Sequence, residues 1–146
     1  MINILENYIK KLAVLSILMC FMNISSAQQM HKVNLNIQGE IFNLELESND
    51  TTEALLKHLP LEMELADLHA NEKYEYLPFS LPTTSYEPIT IEEGDVLLFN
   101  DNCFVIFYKT FKNPGYSYSK IGKVEDTKRL KQVVGQKNIK VIVSKD

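Results

Sequence analysis

The chain has 146 residues, 45% hydrophobic and 23% charged, a balance that excludes a disordered chain and fits one globular domain. Its formal charge of −4 comes from 19 acids scattered among 15 basic residues, which excludes the basic patch or stripe of a nucleic-acid-binding protein. No acidic spacing matches a calcium loop, and no motif specifies a reaction.

The N-terminal segment differs from the rest. Lys10 and Lys11 precede an apolar run from Leu12 to Met22, interrupted by one Ser, and a short polar stretch then ends in Ser25, Ser26 and Ala27. Charged, then apolar, then small residues is the order of a secretory signal peptide, here residues 1–27 with cleavage after Ala27. An uncleaved anchor would need ~20 apolar residues to span a bilayer, and this run is far shorter. A lipoprotein would need a small residue before Cys20, where Met19 stands. The expectation is an exported domain, residues 28–146, periplasmic or extracellular, with no stable membrane insertion once the signal is cleaved. Loss of Lys10, Lys11 and Glu6 takes 15 basic and 19 acidic residues to 13 and 18, a net charge of −5. Cys103 is then the single cysteine, and a domain of this size buries enough core to fold without a disulfide.

Val33, Leu35 and Ile37 alternate with Asn34, Asn36 and Gln38, and Phe42, Leu44 and Leu46 alternate in the same way across Gly39, so the domain opens with a hairpin. Asn49 or Asp50 caps a helix with Glu53 in its first turn and Leu55, Leu56 and Leu59 as its buried stripe, limited by Pro60. Leu61 to Leu68 alternates again, and Glu72 to Leu77 follows a polar turn. Pro78, Pro82 and Pro88 make Phe79 to Pro88 the longest irregular loop, a place where function concentrates.

Val96 to Phe99 and Phe104 to Tyr108 form the central hairpin through Asn100, Asp101 and Asn102. Both runs are apolar at consecutive positions, so both faces must be covered. Asn113, Pro114 and Gly115 turn the chain into a strand from Tyr116 to Val124. Asp126 caps a short helix, Thr127 to Val134, ended by Gly135, and Lys140 to Val143 supplies a closing strand. Seven or eight short strands with two short helices and no βαβ rhythm describe a mainly β barrel or sandwich. Closure is favoured because the central strands need cover on both faces and a barrel leaves no exposed edge.

The order NIQGEIFNLELESNDTTEALLKHLPLEMEL, NEKYEYLP, IEEGDVLLFNDNCFVIFYK and GYSYSKIGKV resembles the bacterial cyclophilin-like domain family over Val33 to Val143. Its most specific pieces are Leu59-Pro60, Glu72 with Tyr76, Gly94-Asp95, Phe107-Tyr108 and Gly122. The resemblance implies a closed eight-stranded barrel capped by two short helices, with a cleft on one side. It implies no activity, because a fold hosts many functions.

True cyclophilins resemble one another in an arginine that polarises the prolyl amide beside an aromatic pocket. The single arginine here, Arg129, lies between Lys128 and Lys131 in the last helix, in no Arg-x-x-Phe pattern, and reads as a surface charge. No catalytic residue is therefore assigned. His31, His58 and His69 are scattered, and His69 with Glu72 supplies too few ligands, so no metal or cofactor is assigned. Cys103 opens an apolar strand without a nearby base and reads as a small buried hydrophobe. Glu92, Glu93 and Asp95 read as a solvated turn. Glu72 either lines the cleft or ties the loop backbone. Among the many aromatic residues, Phe99 and Phe107 read as core, whereas Tyr76, Tyr116 and Tyr118 carry hydroxyls suited to a rim.

The resulting expectation is a monomeric, non-catalytic binding module that holds a peptide or small-molecule ligand near Glu72, Tyr76, Tyr116 and Tyr118. The alternatives are a divergent peptidyl-prolyl isomerase or a hydrolase using Glu72, and an interaction protein whose Phe79 to Pro88 loop meets a partner. Mass spectrometry of the exported protein is expected to find Gln28 as the first residue; the mass of the intact chain would instead mean an uncleaved anchor.

Overall fold

The computed structural model of the chain describes residues 2–20 and 31–145, so the expected cleavage point after Ala27 lies outside the described residues. Helix α1 (Ile2–Cys20) exposes the side chains of residues 2–11, and among the described residues no helix is long and apolar enough to cross a membrane.

Strands β1 (His31–Ile37) and β2 (Glu40–Leu46) form the opening hairpin. Its turn residues Gln38 and Gly39 have φ of 54° and 91°, the positive pair that a two-residue turn between twisted strands requires, and the Gly39 N–H donates to Asn36 Oδ1 at 2.9 Å. Helix α2 (Asp50–Leu56) follows, capped by Asn49. Asn49 Oδ1 accepts from the Thr52 N–H at 3.0 Å, and the Thr52 hydroxyl accepts from the Asn49 N–H at 3.3 Å. The buried stripe differs from the expected one. The helix stops at Leu56, so Leu59 lies beyond it, and its buried residues are Thr51, Thr52 and Leu55. Two threonines can be buried there because their hydroxyls donate to Pro82 O and Glu47 O at 2.7 and 2.6 Å.

Six further strands complete the barrel: β3 (Leu61–Leu68), β4 (Glu72–Tyr76), β6 (Asp95–Phe99), β7 (Cys103–Phe107), β9 (Tyr118–Val124) and β10 (Ile139–Ser144). They close in the order β1-β10-β3-β4-β7-β6-β9-β2, every pair antiparallel. At Gly122, where β9 meets β2, an added Cβ would stand 2.1 Å from Glu45 O, so only glycine permits that approach. Helix α3 (Thr127–Val134), capped by Asp126, buries Leu130 and Val134 against the interior. Two elements were not legible in the chain: β5 (Thr90–Ile91) and β8 (Phe111–Lys112) pair as a ribbon outside the barrel.

The apolar residues fall into two clusters. Val96, Leu98, Phe104 and Ile106 join the barrel interior with the alternating sets of β1, β2, β3 and β10. Leu97, Val105 and Phe107, the intervening residues of the same hairpin, join Ile91, Cys103 and Tyr118 on the outer face. The consecutive apolar runs are thus two alternating sets, one per face. Each fully buried large side chain contributes about 1.5–3 kcal/mol, so the outer layer is a second core and not a surface patch.

One charge lies inside the barrel. Lys73 is 0% exposed; its Nζ lies 2.8 Å from Asp67 Oδ1 and donates to Lys137 O at 2.6 Å. The Tyr108 hydroxyl donates to the same Asp67 oxygen at 2.5 Å, and the Ala70 N–H donates to Oδ2 at 3.1 Å. Burial is the largest influence on Asp67 and works upward, but these bonds together hold its pKa below the ordinary carboxylate value. Removing Asp67 strands the fully buried Lys73 without its counter-ion. Asp67→Asn is expected to cost about 3–5 kcal/mol in urea unfolding, and Lys73→Met added to it should restore part of that loss. A single variant as stable as the parent would show that the pair carries no net stability.

Candidate functional site

The outer face of the sheet is built from register. Between β4 and β7, Glu72 stands opposite Phe107, Tyr74 opposite Val105 and Tyr76 opposite Cys103. Alternation places these pairs on one face and sends Lys73 to the other. Across β6, Phe99 lies opposite both Cys103 and Tyr118. This surface is the floor of a cavity of about 450 Å³, lined also by Leu68, His69, Asn71, Phe111, Pro114 and Tyr116.

Asn113 positions the segment on the other side. It is buried, and its Nδ2 donates to Pro88 O at 2.9 Å and Tyr116 O at 2.8 Å. Its Oδ1 accepts from the Gly115 and Tyr116 N–H groups at 3.3 and 3.0 Å. One side chain therefore fixes the turn that carries Pro114 and Tyr116 over the floor. The turn motif was legible in the chain; the tie to Pro88, 25 residues away, was not.

All four residues expected at the site line this cavity. Tyr76 and Tyr116 form its rim, 56% and 54% exposed. Tyr118 is not at the rim: it is 7% exposed, with its ring centroid 5.7 Å from Phe99 and 5.9 Å from Phe107, and makes a wall. Phe99, expected in the core, lines the cavity, while Phe107 is fully buried. The loop from Phe79 to Pro88 contributes no lining residue. It is stitched to β9 instead, through the Tyr86–Tyr118 backbone bridge and the Thr84 N–H donating to Ser119 Oγ at 2.7 Å.

Glu72 lines the cavity, and the groups acting on it include neither a backbone tie nor a cation. Burial, and secondarily the charge of Asp67, push its pKa up to about 7. Burial also pushes the Cys103 thiol up to about 11, with Glu72 and Glu75 adding to it, so the sulfur stays protonated and is a poor nucleophile. Tyr118 is raised to about 12, again first by burial and then by Glu72. Among the described residues no lysine or arginine lines the cavity. His69 does, on a turn where His69 and Ala70 hold φ of 54° and 52°, values that side chains other than glycine and asparagine seldom adopt. No group of three metal-ligating side chains occurs among the described residues. Arg129 is elsewhere: its guanidinium lies 4.3 Å above the Phe42 ring and donates to Ile41 O at 2.5 Å, and its side chain, 42% exposed, is a surface charge as expected.

A model of the cyclophilin-like family matches residues 35–144. The chain belongs to the cyclophilin-like family. Among solved structures it is similar to the solution structure of a hypothetical protein from Archaeoglobus fulgidus, at 16% identity, covering 84% of this chain and 100% of that one, with a TM-score of 0.54. That likeness shows the fold alone. No curated protein matches the sequence. The whole of the cavity, from Leu68 to Tyr118, falls within the segment matched by the cyclophilin-like family.

A carboxyl that binds its proton more tightly folded than unfolded costs stability as pH rises from its unfolded value, near 4.5, to about 7. Glu72→Gln is therefore expected to stabilise the protein at pH 8, by on the order of 1 kcal/mol because solvent in the cavity screens much of the full effect. At pH 3, where the glutamate is almost wholly protonated in both states, the two proteins should unfold at the same urea concentration. A gap that does not change with pH would show that Glu72 ionises normally.

Proposed function

We propose that this protein is an exported, monomeric, non-catalytic binding module that holds a peptide segment or small molecule in the cavity on the outer wall of its barrel. The observation that carries the reading is convergence: Glu72 and Tyr76 from one strand, Tyr118 from another and Tyr116 from a separate turn line a single space of about 450 Å³. That volume lies in the range of small-ligand sites, and its apolar floor with a few polar groups is the usual composition of one. The order of residues 1–27 supports export. A non-catalytic role is supported by the placement of the single arginine over Phe42 and by a thiol held protonated in the only cysteine of the expected mature chain.

NMR exchange spectra of a panel of Xaa-Pro peptides with the protein are expected to show shifts at Tyr76, Tyr116 and Tyr118 without faster cis/trans exchange. Tyr76→Ala should weaken any ligand so detected by roughly ten-fold, the loss of an aromatic anchor that the bound ligand covers. Accelerated exchange that disappears in Glu72→Gln would sink the non-catalytic reading and favour a divergent isomerase.

A further inference from the structure

We propose that the cavity selects an organic cation, an ammonium group bearing apolar substituents, with Glu72 as its counter-ion and the surrounding rings as its cage. This rests on the binding-module reading above and narrows it to one class of ligand.

Three observations combine. The first is the ring set. Tyr74 and Tyr76 meet edge to face at 6.0 Å on the β4 side, Phe99 and Tyr116 do so at 5.7 Å across from them, and Phe111 adds another ring. Aromatic faces attract a cation, and the attraction grows as the site is desolvated. The second is the charge inventory. Glu72 is the sole carboxyl among the lining residues, no lysine or arginine joins it, and the neighbouring charge that acts on it is another carboxylate, Asp67. The third is where the adjacent lysine is kept. Lys73 follows Glu72 in the chain but is held on the other face of the sheet by Asp67 and Lys137 O, so it cannot turn to neutralise the cavity.

The competing ligand classes fare worse on the same groups. An anion would meet the carboxyl of Glu72, with His69 as the one basic side chain among the described lining residues. A purely apolar molecule would press against the carboxyl and cost its remaining solvation. An alkylated ammonium satisfies the acid and packs its substituents on the rings at once.

Three probes of nearly one shape separate these cases: choline, its neutral carbon isostere 3,3-dimethyl-1-butanol, and the anion 3,3-dimethylbutanoate, each titrated into the full chain and followed by NMR. Choline is expected to shift Tyr74, Tyr76, Phe99 and Tyr116 and to bind roughly ten-fold more tightly than the alcohol, with the carboxylate weakest. Glu72→Gln should remove choline's advantage by weakening choline, while the alcohol binds no more weakly than to the parent protein. Tyr76→Leu, a change at the exposed rim that does not depend on the half-buried acid, should lower choline affinity more than alcohol affinity. Equal binding of the alcohol, or preference for the carboxylate, overturns the cation assignment and leaves the binding-module reading standing. Silence from all three probes also overturns the cation assignment, and the peptide panel then decides the module reading alone.

Discussion

The central hairpin of β6 and β7 is apolar on both faces and needs cover on each, and the rest of the molecule follows from that. A strand buried on both faces can leave no backbone group unpaired, so β6 must find β9 and β7 must find β4. Those neighbours in turn carry the sheet round to closure. On the inner face the cover comes from the barrel itself; on the outer face it comes from β5, β8 and the loops that Tyr86 and Asn113 fasten down. The cavity is the place where that outer cover stops short of β4, which is why its floor is made of core-type residues such as Cys103 and Val105.

The same strand geometry sorts the charges. Glu72 and Lys73 are adjacent in sequence and would pair readily on a flexible chain. In β4 they point to opposite faces, Lys73 into a network with Asp67 and Tyr108, Glu72 into the cavity. Asp67 serves both sides, since it neutralises the lysine and also raises the proton affinity of Glu72. The acid of the cavity and the ion pair of the interior are therefore a coupled system, separated by the thickness of one sheet.

Most of this architecture could be read from the chain because it is written in period and punctuation. The alternation from Val33 to Leu46, the caps at Asn49, Asp126 and Gly135, and the two-faced hairpin all appear where the residues place them. Legibility failed where tertiary partners overrule local pattern. Strands of two residues, Thr90–Ile91 and Phe111–Lys112, are too short to show a period. Leu56 and Leu59 pack against the core only partly buried, and the fully buried places of α2 go to Leu55 and to two threonines whose hydroxyls find carbonyl acceptors. A lysine in a strand ordinarily marks the solvent side, and nothing local to Lys73 announces that Asp67, Tyr108 and Lys137 will meet it inside. Of the site, the acid and the tyrosines were visible as types; that Tyr118 walls the cavity while Tyr116 rims it follows from Tyr116 belonging to the turn that Asn113 ties and Tyr118 opening β9.

The division of labour around Asn113 has an evolutionary reading. The floor of the cavity cannot be altered without disturbing strands that hold the barrel shut, so it is conservative by construction. The opposite side is a turn of a few residues whose geometry depends on one amide side chain and whose tip carries Pro114 and Tyr116, the latter resting on the ring of Phe99. Such an arrangement lets selection exchange the roof as a cassette. Chains sharing this barrel can thus diverge in what they hold much faster than in how they fold.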